Sequence, residues 1–222
     1  MKLRICHLYG NLMNTYGDNG NLLMLQHRAK KLGYEVETTL ISLEEDFNPE
    51  EFDIVMFGGG QDYEQTVVAK DLQNKKDTLI EYIEDDGVVV AICGGFQLLG
   101  RYYVNASGER LNGISAIDVC TNGQFPNRLI GDVEIFNEEF GETYLGYENH
   151  IGRTYLGKNM KPLGKVVKGF GNNEEDHAEG CHYKNVFCSY FHGPMSTFKK
   201  CITKKTRVTK MLHGLFFRII QH

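Results

Sequence analysis

The sequence predicts an α/β fold with a mainly parallel central sheet. Two observations carry this reading. Short apolar runs at residues 3–9, 36–41, 52–57, 88–92 and 186–191 have the length and the β-branched or aromatic content of strands. Segments with helical spacing separate the first strand from the second and the third from the fourth, and strands that alternate with helices pair in parallel through βαβ units.

The elements follow in order. Residues 3–9 open the chain as a strand. Leu22, Leu23, Leu25, Ala29 and Leu32 give residues 19–32 a helical pattern that stops at Gly33, a plausible C-terminal cap. Residues 36–41 alternate as a second strand. Residues 52–57 form a short apolar strand that ends in Gly58-Gly59-Gly60, and a helical pattern then runs from about residue 63 to 84. Val88-Val89-Val90-Ala91-Ile92 is apolar throughout, as in a strand buried on both faces. A helix from Gly94 to about residue 102 is expected next. Residues 115–170 change character, with short strands predicted at 114–119, 129–136 and 143–147 among many glycines, read as additional strands on one side of the sheet. Residues 186–191 return to a buried-strand pattern and end at His192-Gly193-Pro194. Residues 1–195 are expected to form one domain, followed by an atypical basic tail at 196–222.

Three of these strands end in residues with chemical potential. Cys93 stands between a buried strand and a helix, followed by Gly94 and Gly95. That is the layout of a nucleophile elbow with cysteine in place of serine. A helix N-terminus beside the sulfur favours the thiolate. The Gly94 N–H and the loop Gly58–Gly60 offer donors for an oxyanion. His192, at another strand end, is the candidate base. In open α/β sheets such groups gather beyond the carboxyl ends of the strands.

Composition narrows the class. The 222 residues are 41% hydrophobic and 24% charged, ordinary for a soluble globular protein. No apolar run approaches a membrane span and no signal peptide is visible, so a cytoplasmic protein without membrane insertion is expected. The six cysteines lack C-x-x-C spacing, so no metal site is expected. The net charge of −5 hides an asymmetry. Residues 199–222 hold seven basic residues and no acid, leaving 17 basic against 29 acidic residues before them, a net charge of −12. An acidic body argues against nucleic-acid binding.

Ala91-Ile92-Cys93-Gly94-Gly95-Phe96-Gln97 resembles the nucleophile motif of class I, triad-type glutamine amidotransferases. Gly94-Gly95-Phe96-Gln97 and Ser189-Tyr190-Phe191-His192-Gly193-Pro194 resemble the cobyric-acid-synthase-like branch. Within it, Asn14-Thr15-Tyr16-Gly17-Asp18-Asn19-Gly20-Asn21 and the segments 57–65, 127–132, 147–154 and 169–173 are similar to the glutaminase subunits of lipid II isoglutaminyl synthase. The resemblance spans residues 3–195 and implies the flavodoxin-like three-layer fold of that class, with extra strands.

It also implies a chemistry. Cys93 attacks the carboxamide carbon of L-glutamine. The N–H groups of Gly94 and of Gly59 or Gly60 hold the oxyanion, and His192 handles the protons. Gln97 and Arg128 match positions that hold glutamine, and a guanidinium suits the two oxygens of an α-carboxylate. No cofactor is expected in this chain. ATP and Mg belong to the implied partner, a Mur-ligase-like synthetase subunit that activates the α-carboxyl of the stem-peptide D-glutamate of lipid II. The resulting heterodimer would work at the inner face of the membrane. Another acceptor such as a corrinoid, or a non-catalytic partner protein, is the alternative.

Two features depart from the wider class. His192 is followed by Gly193 and Pro194 where most class I enzymes have His-x-Glu, and no acidic residue lies beyond Glu179. The third triad member must therefore be upstream, absent or supplied in trans, and a carboxylate from the partner subunit is the expectation. Gly17-Asp18-Asn19-Gly20 reads as a turn with an N-cap. His150, also in the family pattern, is the rival base and is expected to be structural or partner-facing. Residues 196–222 do not fit the family. They read as an altered frame or a basic amphipathic segment.

Overall fold

The computed structural model describes residues 2–15 and 18–192. The expected basic tail at 196–222 lies outside the described residues. The chain runs through β1 (Lys2–Leu8), α1 (Asn19–Lys31), β2 (Glu35–Ile41), β3 (Ile54–Phe57), α2 (Asp62–Leu72), α3 (Lys76–Glu84), β4 (Val88–Ile92) and α4 (Gly94–Leu99). The strands β5 (Tyr102–Val104), β6 (Arg110–Asn112), β7 (Val119–Asn122), β8 (Leu129–Asn137), β9 (Glu142–His150), β10 (Arg153–Leu156) and β11 (Gly164–Lys168) follow. The last described strands are β12 (Ala178–Glu179), β13 (Cys181–Tyr183), β14 (Val186–Ser189) and β15 (Phe191–His192).

Six strands make the central sheet, in the order β13-β14-β4-β3-β1-β2. All neighbours pair in parallel except β13, which runs antiparallel to β14 at the edge. Leaving out that edge strand, the order β2-β1-β3-β4-β14 is the 2-1-3-4-5 arrangement of flavodoxin-like folds.

Strand alternation divides the core. Leu3, Ile5, Ile54, Met56, Val88, Val90 and Ile92 pack with α1 and with Val133, Ile135 and Tyr144 of β8 and β9. Cys6, Leu8, Val55, Phe57, Val89 and Ala91 pack on the other face with Val68, Leu72, Leu79 and Ile83 of α2 and α3. This is a three-layer arrangement. It also explains the unbroken apolar run of β4, because every one of its residues is buried. Each Val or Ile buried there contributes roughly 1.5–3 kcal/mol.

Three departures from expectation have physical causes. The helical pattern at 63–84 is two α-helices joined by a short 3₁₀ turn, Gln73–Lys75. There Lys75 turns inward and pairs with Asp71, which also accepts from the Tyr9 hydroxyl at 2.5 Å. The expected strand at 114–119 begins only at Val119, because Ser115 takes a positive φ of 58° and Ile114 and Ile117 are buried from a loop. The extra strands do not extend the central sheet. They form two further sheets, β10-β7-β5-β6 and β12-β11-β8-β9-β15.

The third sheet matters most for the site. β14 leaves the central sheet at Ser189, and after Tyr190 the chain joins β9 as β15. His192 is therefore not the end of a central strand. It is delivered from the neighbouring sheet, opposite Tyr147.

Candidate active site

The sharp turn at Cys93 is built as the sequence suggests. β4 ends at Ile92, α4 begins at Gly94, and Cys93 between them has φ 49° and ψ −105°. A side chain in that left-handed region is strained by about 1–3 kcal/mol, and surrounding bonds must hold it there. The Cys93 N–H donates to Ser189 O at 3.0 Å and the Gln97 N–H donates to Cys93 O at 3.0 Å. Close packing requires the two glycines that follow. A Cβ on Gly95 would lie 2.4 Å from Phe57 O, and the Gly95 N–H donates to Gly58 O at 3.0 Å. A Cβ on Gly94 would lie 2.9 Å from Gly60 N.

The end of β3 and the loop after β1 meet over the sulfur. A Cβ on Gly59 would come within 3.1 Å of Cys93 Cβ and 3.6 Å of its Sγ. The Thr15 N–H donates to Gly59 O at 2.9 Å, and the Gly59 N–H donates to Asp18 Oδ2 at 2.6 Å. The other carboxylate oxygen, Asp18 Oδ1, accepts from His192 Nδ1 at 3.1 Å. Asp18 and His192 are 5% and 6% exposed, so water weakens this bond little. Cys93 adjoins the same imidazole. With Nδ1 on Asp18, Nε2 is the nitrogen left for the sulfur and for substrate.

This geometry bears on three expectations. Within the chain, the carboxylate hydrogen-bonded to His192 is that of Asp18, upstream in the loop after β1. Asp18 does not cap α1. It occupies the N-cap position with helical φ and ψ and makes no side-chain cap bond, while Asn14 Oδ1 accepts the Asn19 N–H at 2.8 Å instead. The Gly59 N–H, expected among the oxyanion donors, is committed to Asp18. Of the three glycines expected as donors, that leaves Gly94 and Gly60, whose backbones approach each other beside Cys93. The first N–H groups of a helix have no partner within it, so Gly94 is poised to donate.

The other sequence-predicted residues fall in two places. Gln97 is 3% exposed and lies beneath the site. Its Oε1 accepts from Gln65 Nε2 at 2.7 Å and its Nε2 donates to the Tyr190 hydroxyl at 3.1 Å. A carboxamide still has one N–H and one lone pair beyond these two bonds. Arg128 is exposed just before β8 and is fixed on β9 by Nε to Asn149 Oδ1 at 2.9 Å and Nη2 to Asn149 O at 3.0 Å. Asn149 and Tyr147 share one face of β9, and Tyr147 stands opposite His192, so Arg128 is carried by the same sheet as His192. His150 is buried, with Nδ1 2.8 Å from Gly152 O and its ring stacked on Tyr190 at 3.7 Å. Burial pushes its pKa down, so it is a neutral packing group behind the site.

His192 has the opposite character. Burial disfavours its charged form, but the hydrogen bond to Asp18 and the adjoining Cys93 outweigh that, raising its pKa to about 10. The ring therefore stays an imidazolium through neutral pH, ready to give a proton to a leaving group. In the unfolded chain an imidazole titrates near 6.5. The charged ring thus stabilises the fold fully below pH 6.5, and this contribution is lost as pH rises toward about 10. Urea unfolding at pH 6 and pH 10 should show the stability gap between wild type and His192→Gln shrinking at the higher pH. A gap that widened would contradict the Asp18–His192 pairing.

Comparison with known proteins agrees with this chemistry. The family described as the CobB/CobQ-like glutamine amidotransferase domain matches residues 4–200. The lipid II isoglutaminyl synthase (glutamine-hydrolyzing) subunit GatD of Streptococcus pneumoniae is 60% identical over 194 residues, covering 87% of this chain and 75% of that protein. The subunit of the same name from Staphylococcus aureus is 42% identical over 194 residues, covering 87% and 78%. A cobyric acid synthase of Clostridium botulinum is 27% identical over 206 residues, covering 87% of this chain but 41% of that larger protein. A crystal structure of a glutamine amidotransferase superposes with a TM-score of 0.56 at 15% identity, over 84% of this chain and 89% of that one, which shows the shared fold. An elbow cysteine beside an aspartate-held histidine is thus found in a chain that belongs to the CobB/CobQ-like glutamine amidotransferases.

Proposed function

We propose that this chain is the glutamine-hydrolysing subunit of a lipid II isoglutaminyl synthase, with Cys93 as nucleophile. The observation that carries the hydrolytic reading is the strained Cys93 turn set against the buried His192–Asp18 pair. The acceptor is supported by the likeness to the two GatD subunits over most of the chain.

The steps follow from the geometry. The Cys93 sulfur adds to the γ-carboxamide carbon of glutamine, and the carbonyl π pair moves to oxygen. The N–H groups of Gly94 and Gly60 hold that oxyanion. The oxyanion collapses, the C–N bond breaks, and the His192 imidazolium protonates the departing nitrogen, which leaves as ammonia. Water then adds to the thioester while neutral His192 takes its proton. Glutamate departs and the Cys93–imidazolium pair is restored. Asp18 holds the imidazole in the tautomer that presents Nε2 to the reacting atoms, and it stabilises the imidazolium.

Arg128 and Gln97 are the proposed glutamine-binding residues, with Arg128 taking the α-carboxylate. Arg128→Met should raise KM roughly 10- to 100-fold with kcat little changed, the loss expected for a charge-assisted bond. Steady-state ammonia release at varied glutamine checks this, and an unchanged KM removes Arg128 from the binding site.

The partner is a Mur-ligase-like synthetase that supplies the ATP and Mg chemistry and amidates the D-glutamate α-carboxyl of lipid II. No helix among the described residues is long and apolar enough to cross a membrane. Attachment to the inner face through the complex is part of the proposal. Because Cys93, His192 and Asp18 come from one chain, the isolated protein should release ammonia from glutamine. Adding the ligase subunit, ATP and lipid II should yield amidated lipid II from glutamine. Ammonia release with transfer to a corrinoid acid instead would favour the other acceptor.

A further inference from the structure

The mechanism above leaves one buried acid unused. Glu179 is fully buried in β12 beside the chain that passes from the central sheet to the third sheet. Its Oε1 accepts from the Ser189 hydroxyl at 3.0 Å and from the Tyr190 N–H at 2.7 Å. Ser189 Oγ in turn accepts the Phe191 N–H at 2.9 Å. One carboxyl group thereby fixes three consecutive residues just before His192. The same Ser189 reaches the nucleophile, because its carbonyl accepts the Cys93 N–H at 3.0 Å.

We infer that Glu179 is a positioning residue that sets the distance and orientation between Cys93 and His192 through Ser189. The inference rests on the reading of those two residues as the catalytic pair. Its physical basis is that β4 and β14 deliver Cys93 and Ser189 in one sheet, whereas His192 belongs to another. The crossing at 189–191 is the joint between the two: Ser189 ends one ladder, Phe191 begins the other, and Tyr190 between them belongs to neither. The buried clamp holds that joint.

The clamp works as a neutral acid. Burial, reinforced by the nearby Glu148 carboxylate, pushes the Glu179 pKa up to about 8 against the pull of its two hydrogen bonds. Its second oxygen, Oε2, has no hydrogen-bond partner among the described residues. A protonated Glu179 is matched in shape and acceptor by glutamine. Glu179→Gln should therefore keep the clamp, while Glu179→Ala removes it and leaves the Tyr190 N–H and Ser189 hydroxyl without their acceptor.

The test uses the intact chain, with Cys93→Ser as control, and reads two quantities: kcat for glutamine hydrolysis, and the His192 titration midpoint by imidazole NMR. Glu179→Ala should lower kcat roughly 10- to 100-fold, the cost of a misplaced reacting pair, with the midpoint falling from about 10 toward 6.5. Glu179→Gln should restore both, which simple loss of packing does not predict. Wild-type kcat and midpoint in a folded Glu179→Ala would overturn the inference. If that variant does not fold, Ser189→Ala decides: it removes the hydroxyl that joins Glu179 to the Phe191 N–H and leaves the Tyr190 bond, and an unchanged kcat and midpoint in it would equally overturn the inference. Ammonia release that persists in Cys93→Ser would instead remove the catalytic pair on which it rests.

Discussion

Cys93→Ser should lower ammonia release from glutamine by about 10⁴-fold or more, the scale seen when the nucleophile of a triad is removed. The size of the effect follows from the turn. Its φ of 49° aims one side chain at the space between His192 and the Gly94–Gly60 donors. Of the other described cysteines, Cys120 lies in β7 of a different sheet. Cys6, Cys181 and Cys188 are buried in the sheet, and burial pushes the thiols of Cys6 and Cys181 up to about 12 and that of Cys188 well above its ordinary value. A serine hydroxyl at position 93 preserves shape but not nucleophilicity, since an alcohol, unlike a thiol, is not ionised near neutral pH and must lose its proton during attack. Coupled assay of ammonia and glutamate measures the loss, and near wild-type rates would remove Cys93 from the mechanism.

Asp18→Asn should reduce kcat by roughly 10²- to 10⁴-fold, with KM changed far less. Asp18 accepts two hydrogen bonds, from the Gly59 N–H and from His192 Nδ1. Asparagine has one oxygen. If that oxygen stays with Gly59, the amide N–H₂ faces Nδ1 and forces the ring proton onto Nε2, the wrong nitrogen. If it turns to His192, Gly59 loses its acceptor and the loop over Cys93 loosens. Either way the imidazolium loses its counter-charge and its pKa falls from about 10. Kinetics paired with NMR titration of His192 checks both parts. A variant of undiminished kcat, alone and with the ligase subunit, would show that Asp18 is not the orienting acid.

The sequence made some of this legible and hid the rest for identifiable reasons. β4 was readable to the residue because burial on both faces makes its apolar run continuous, and the glycines after Cys93 mark the tight turn. β5 and β6 were not, because three residues each give no usable periodicity. The switch of His192 into a second sheet was hidden because Val186 to Phe191 reads as one apolar run, although Tyr190 interrupts the pairing. Asp18 lies in a segment that reads as a turn with an N-cap, since polar residues before a helical pattern ordinarily serve their own helix. Its partner lies 174 residues away, a separation that no local pattern reports. The available hint was topological. Asp18 follows β1 and the glycine loop follows β3, and the order β2-β1-β3-β4 puts these two strand ends side by side at the point where ligands bind in such sheets.

The most direct test of the account is labelling of the intact chain with a glutamine-analogue chloroketone, followed by peptide mass spectrometry. The account predicts a single adduct on Cys93, suppressed by excess glutamine and strongly slowed in Asp18→Asn. Labelling that spares Cys93, or that glutamine does not suppress, would contradict it.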